Sequence, residues 1–150
     1  MIRLSNGFTA VALTGILALS TSLSKSDAKE PPLAGASKSK GLAQQIIGTW
    51  QLEEATTPGT PSGIGTRLKL FTGSHWSVIQ PDPKSGLIVF QHGGRYEIKG
   101  KKMKVNRDFA GESTKGMIGG TGTYKIKIEG DVMKQADSDG VFNETWKRVK

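Results

Sequence analysis

Cysteine is absent from the 150 residues. Its absence excludes disulfides, thiolate metal sites and cysteine nucleophiles, and it removes the residue that would carry a lipoprotein's acyl anchor. Histidine is scarce, with only His75 and His92. Neither has a second histidine or a carboxylate at zincin-like spacing, so no metal motif is read from them, although they lie on neighbouring strands or loops where they could converge. There is no nucleophile elbow, and Ser, His and acidic residues show no catalytic spacing. The glycine-rich run Gly116 to Gly122 (GMIGGTG) lacks the Lys-Ser/Thr ending and following helix of a phosphate loop; it reads as a mobile loop before a strand. Long apolar runs are missing too. The longest, Phe8 to Leu19 (FTAVALTGILAL), falls short of the roughly 20 helical residues that cross a bilayer.

That short run belongs to an address. Arg3 supplies a positive start, and Ser26-Asp27-Ala28 offers small residues for cleavage, with Ala18-Leu19-Ser20 as an earlier alternative. Residues 1–28 read as a secretory signal, the competing reading being an uncleaved anchor. Residues 29–41 (KEPPLAGASKSKG) cannot bury enough apolar surface to offset their ordering entropy and read as a flexible linker. The expectation is a folded domain over 42–150 that is exported, periplasmic or extracellular. It would carry no lipid anchor, and no transmembrane segment once the signal is cleaved.

Glycine is abundant, at 20 residues against a usual share of about 7%, which suits strands joined by tight turns. The formal net charge is +8, of which residues 1–41 hold +3 and the domain +5. Solubility alone accounts for that mild basicity.

The domain reads as strands. In Thr123 to Glu129 (TYKIKIE), Tyr124, Ile126 and Ile128 point one way while Lys125, Lys127 and Glu129 point the other. Gly130-Asp131 turns this run into Val132 to Ala136 as a hairpin. A similar pair is Arg95 to Lys99 and Lys101 to Arg107, hinged at Gly100. Ile46 to Glu53, Thr66 to Thr72, His75 to Gln80, Leu87 to Gln91 and Val141 to Val149 complete the set. Gly41 to Gln45 reads as a helical turn, and Ala55 to Gly65 and Gly111 to Gly122 as long loops. About eight short strands at regular spacing predict an up-and-down barrel or a sandwich.

Ile47-Gly48-Thr49-Trp50-Gln51-Leu52 resembles the Gly-x-Trp opening strand of lipocalins and their calycin relatives. The stretches LKLFTGSHWSVIQ (68–80), GGRYEIKGKKMKV (93–105), GTYKIKIEGDVMKQ (122–135) and NETWKRVK (143–150) are similar to bacterial lipocalin-like proteins of largely unassigned function. The resemblance covers about residues 45–150. It implies an all-β, eight-stranded antiparallel up-and-down barrel. It also implies that Trp50 plugs the closed end with Arg148 across its indole, a stacking that contributes about 0.5–2 kcal/mol.

With Tyr124, Ile126 and Ile128 inward, parity assigns Leu68, Leu70, Trp76, Val78, Tyr96, Ile98, Met103, Val105, Phe142 and Trp146 to the same interior. Arg107 and Glu144 share that parity, and a lone charge inside a barrel is costly. Either they sit at the rim or pair with neighbours, or Arg107 and the Tyr124 hydroxyl hold the anionic head of a ligand. The candidate ligand-binding residues are therefore Trp76, Tyr96, Arg107, Tyr124 and Glu144; no catalytic residue and no cofactor is expected.

On the outside, Lys102, Lys104, Lys125 and Lys127 form a basic face. It is read as a solvated wall that discourages edge aggregation, with weak contact to an anionic surface as the sharper alternative. No aromatic platform accompanies it, so nucleic acid is not expected. Two functions follow. An exported barrel that binds a small, mainly hydrophobic ligand requires an interior cavity of a few hundred Å³. A structural or interaction module of the cell envelope requires a filled barrel.

Overall fold

The computed structural model describes residues 40–59 and 61–150. The signal reading (1–28) and all but the last two residues of the linker lie outside the described residues.

The alternating runs form β1 (Gly48–Ala55), β2 (Leu68–Phe71), β3 (His75–Pro81), β4 (Ile88–Lys99), β5 (Lys102–Asn106), β6 (Phe109–Ala110), β7 (Thr121–Glu129), β8 (Val132–Asp137) and β9 (Asn143–Arg148). Apart from β6, each strand pairs antiparallel with its neighbours in sequence, and β1 pairs with β9. Eight strands thus close into an up-and-down barrel, with β6 a two-residue annex on β4. The run that begins at Leu87 continues through Arg95 to Lys99 as one 12-residue strand, which starts at Ile88.

Alternating direction sorts the connections into two sets. The tight turns at 72–74, 100–101 and 130–131 gather at one end, together with the short helix α1 (Leu42–Gln45). The longer loops 56–67, 82–87, 107–120 and 138–142 gather at the other. The third of these was expected to be a mobile loop. It carries a 3-10 helix, Glu112–Met117, pinned to β4 by bonds from Ser113 Oγ to the Val89 carbonyl (2.7 Å) and from Thr114 Oγ1 to the Gln91 carbonyl.

The first end is plugged. Trp50 is fully buried and donates its Nε1–H to the Ile46 carbonyl at 2.8 Å. Arg148 lies over the indole at 4.1 Å and bonds to the carbonyls of Ile47 (2.8 Å) and Gln45 (2.5 Å). Gly48 makes room for it: its φ is +130°, and a Cβ there would sit 2.8 Å from the guanidinium. Above the plug, Leu52, Phe71, Met133, Ile126, Met103 and Trp146 fill the lower barrel.

One strand faces the opposite way from its expected parity. Leu68 and Leu70 are only half-buried, whereas Arg67, Lys69 and Phe71 point inward. Apolar-in alternation fails here because the interior supplies partners for both cations, and the bulky Phe71 takes the core position.

Gly93 and Gly94 let β4 pass between β3 and β6. A Cβ on Gly93 would press on the Trp76 carbonyl and lie 2.9 Å from Ser77 Cα, both backbone atoms that cannot swing aside. Gly93→Ala should therefore destabilise the domain by about 1–3 kcal/mol in urea unfolding. Gly116→Ala, where a Cβ meets nothing within 4 Å, should change it little.

Candidate functional site

Between the lower core and the loop-bearing end lies a cavity of about 120 Å³. Trp76, Val78, Phe90, Met103, Val105 and Trp146 form its apolar wall, and Met117 and Phe142 stand at its mouth. Its remaining lining is strongly polar: Arg67, Lys69, His92, Arg107, Tyr124, Gln135 and Glu144.

β2 and β9 bring together the deepest charges. Lys69 Nζ donates to Gln135 Oε1 at 2.9 Å and to Glu144 Oε2 at 3.1 Å, and lies 4.0 Å above the Trp146 ring. Glu144 Oε2 also accepts from Gln135 Nε2 (3.2 Å) and Trp146 Nε1 (3.0 Å). Burial pushes the Lys69 ammonium below the ordinary lysine range, and the Glu144 charge opposes that shift. Just before β2, Arg67 stacks on Phe90 at 4.4 Å and donates from Nε and Nη2 to Gln80 Oε1, at 3.0 and 2.8 Å. Gln80 in turn donates to the carbonyls of Pro61 and Ser62, which ties the 56–67 loop over β3.

Arg107 reaches the cavity from the loop after β5. It donates to the Tyr124 hydroxyl at 3.2 Å and to the Thr121 carbonyl at 3.2 Å, while its Nε–H is buried without a partner. Burial of the Tyr124 hydroxyl raises its pKa, with Arg107 pulling the other way. His92 sits edge-on between Trp76 (5.3 Å) and Phe90 (5.0 Å), and its Nδ1 is buried and unpartnered. Burial, reinforced by the charges of Arg107, Lys69 and Arg67, lowers its pKa to about 4. The imidazole is therefore neutral at pH 7. Around the cavity, three cations face a single carboxylate.

Of the residues proposed from sequence, Trp76, Arg107, Tyr124 and Glu144 meet in this cavity. Tyr96 does not; it packs edge-on against Phe71 at 5.1 Å, toward the plugged end. Arg67, Lys69 and Gln135 join them without having been expected there, and His92, considered from sequence only as a metal ligand beside His75, lines the cavity too. The available signal was Phe71, whose parity with Lys69 and Arg67 marks the inward face of β2. Phe142, expected inside, is 46% exposed at the mouth. The cavity itself is smaller than the few hundred Å³ anticipated for a hydrophobic ligand.

His75 is exposed and bonded to Ser74, on a different face from His92. Among the described residues, no group of three or more His, Cys, Asp or Glu could hold a metal ion, and no helix is long and apolar enough to cross a membrane. On the outer wall, Lys102 lies directly opposite Lys125 and Lys127 opposite Lys134. Of Lys102, Lys104, Lys125 and Lys127, only Lys127 has an acidic partner among the described residues, Glu129 at 2.8 Å.

No family model and no curated protein matches the sequence. Solved structures do share the fold. A lipocalin-like protein from Bacteroides uniformis ATCC 8492 superposes with a TM-score of 0.54 at 16% identity, over 69% of this chain and 98% of that one. An uncharacterized protein from Bacteroides eggerthii DSM 20697 gives 0.53 at 17% identity, over 69% and 99%. The fold is a lipocalin-like, eight-stranded antiparallel barrel.

Glu144→Gln would leave Lys69 charged and buried without its counter-ion. It should cost about 3–5 kcal/mol in denaturant unfolding at pH 7, and the Lys69→Met/Glu144→Gln pair should regain most of that. His92 binds its proton more readily unfolded than folded, so its contribution is complete above about pH 6.5 and disappears as pH falls toward 4. Stability measured across that window should drop, and the drop should shrink in His92→Gln.

Proposed function

We propose that the barrel is a non-enzymatic, exported binding protein that holds one small ligand in this cavity, an apolar compound bearing a compact anionic group. The observation that carries the reading is the imbalance of the lining. Three cations face one carboxylate, and the buried Arg107 Nε–H and His92 Nδ1 lack partners beside the open space. Buried donors left unmatched are costly. An anion would accept from Arg107 and from His92 in its Nδ1–H tautomer, and charge-assisted bonds of this kind are the strong ones. Trp76, Val78, Met103 and Trp146 then receive the apolar part.

Volume limits the choice. A dry cavity of roughly 150 Å³ holds a benzene molecule, so about 120 Å³ suits a head of comparable or smaller size. A second reading, an interaction module working through its outer wall, is favoured by the opposed lysine pairs, since like charges directly across a sheet are destabilising.

Titration of tryptophan fluorescence with benzoate and with benzyl alcohol separates the two. On the cavity reading benzoate binds at least about tenfold more tightly, a difference of about 1.4 kcal/mol, and Arg107→Gln abolishes the preference. Equal binding of both compounds, or none, would sink the reading and favour the outer wall. For export, N-terminal sequencing of the mature protein should begin at Lys29; an intact N-terminus in the cytosolic fraction would refute it.

A further inference from the structure

Large apolar side chains are not scattered over this surface. Of the ten that are exposed among the described residues, only Ile47 and Val149 lie near the plugged end. Seven of the other eight lie on the loops and strand ends of the open end, and Phe109 lies lower, on β6 opposite Gly93. Each of the four long loops contributes, with Ile64, Leu87, Ile118 and Val141, and Leu87 is 70% exposed. Isolated exposed apolar residues mean little, whereas a continuous exposed apolar patch marks an interaction surface. These side chains reach the cavity itself, because Met117 and Phe142 are both exposed at the rim and part of its lining.

Rim and cavity have complementary chemistry. The cavity is cationic, and its volume admits a compact head with the part of the molecule next to it; Asp137, on the inward side of β8 beyond Gln135, has a buried Oδ1 without a partner and does not line the cavity. The rim is open and sets its apolar side chains among charged ones, Lys84, Glu112, Lys115 and Asp139. In a lipid leaflet the headgroups face the water and the tails point away. A barrel standing mouth-down would therefore receive a headgroup upward into the cavity while its rim side chains sank among the neighbouring lipids.

We infer that the open end docks on a lipid leaflet and draws the head of one anionic lipid into the cavity. The inference rests on the cavity reading above and adds the surface that presents the ligand. A second copy of the chain is a poorer occupant of the rim, because mouth-to-mouth pairing would bring two cationic cavities face to face. Apolar insertion combined with attraction to anionic lipid is the usual basis of interfacial binding.

The experiment is sedimentation of the purified protein with phosphatidylcholine vesicles, with and without phosphatidic acid, run beside the benzoate titration. The protein should pellet with the phosphatidic acid vesicles. Leu87→Ser/Ile118→Ser, which leaves the cavity lining intact, should weaken vesicle binding about tenfold while keeping benzoate affinity. Arg107→Gln should weaken both, and Lys102→Gln/Lys125→Gln neither. If benzoate binds but the vesicles do not, docking is overturned and the cavity reading stands. If vesicle binding is lost only in the Lys102/Lys125 variant, the outer wall is the lipid contact and the inference fails. It fails equally if the Leu87/Ile118 variant abolishes a concentration-dependent dimer seen in size-exclusion chromatography while vesicle binding is absent.

Discussion

Everything in this molecule depends on the ladder between its first and last strands. β1 and β9 pair from Trp50 opposite Arg148 to Ala55 opposite Glu144, and without that ladder the sheet would have two open edges. Its register sets the two ends of the barrel at once. It places Arg148 over Trp50 to make the plug, and it carries Trp146 and Glu144 inward beside Lys69. A slip of one residue would turn every one of these side chains to the other face. The bulge at Glu53 makes the one exception: it turns Glu54 outward to accept from Thr145 Oγ1 at 3.2 Å and lets Ala55 pack on the core.

Closure with eight strands leaves a narrow interior, and this chain spends part of it on charge. Lys69 and Glu144 are both largely buried, a combination that contributes little net stability against a well-packed apolar pair. What they do is constrain. Gln135, Trp146 and Lys69 all converge on one carboxylate oxygen, so the side chains beneath the cavity have a single mutually satisfied arrangement. Arg67 and Gln80 do the same for the loop above. Of the four buried polar atoms without a partner among the described residues, Arg107 Nε and His92 Nδ1 belong to the cavity lining, and Tyr96 Oη and Asp137 Oδ1 do not.

The sequence was most legible where alternation and apolarity agree. β5 and β7 show Met103 and Val105, then Ile126 and Ile128, against outward lysines, and their faces were read directly. The closed barrel and its strand order were also legible, from the regular spacing of turns and the Gly-x-Trp stretch. β2 was not. In TRLKLFT the leucines claim the interior by apolarity, and nothing local reveals that Gln80, Gln135 and Glu144 wait across the barrel to receive two cations. For the same reason only the part of the cavity carried by Trp76, Arg107, Tyr124 and Glu144 emerged from parity. The 3-10 helix was hidden as well, because its hold on the barrel comes from Ser113 and Thr114 bonding to β4, a contact between distant segments that no periodicity records.

The even number of barrel strands has a practical side. With eight strands running alternately up and down, the domain begins and ends at the same end, where α1 and the close of β9 meet around Trp50 and Arg148. A tag, a fusion partner or a surface linkage joined to either terminus of the folded domain would therefore leave the mouth facing away from its point of attachment. The barrel can be held by its base like a cup, and whatever enters it can be watched without disturbing the grip.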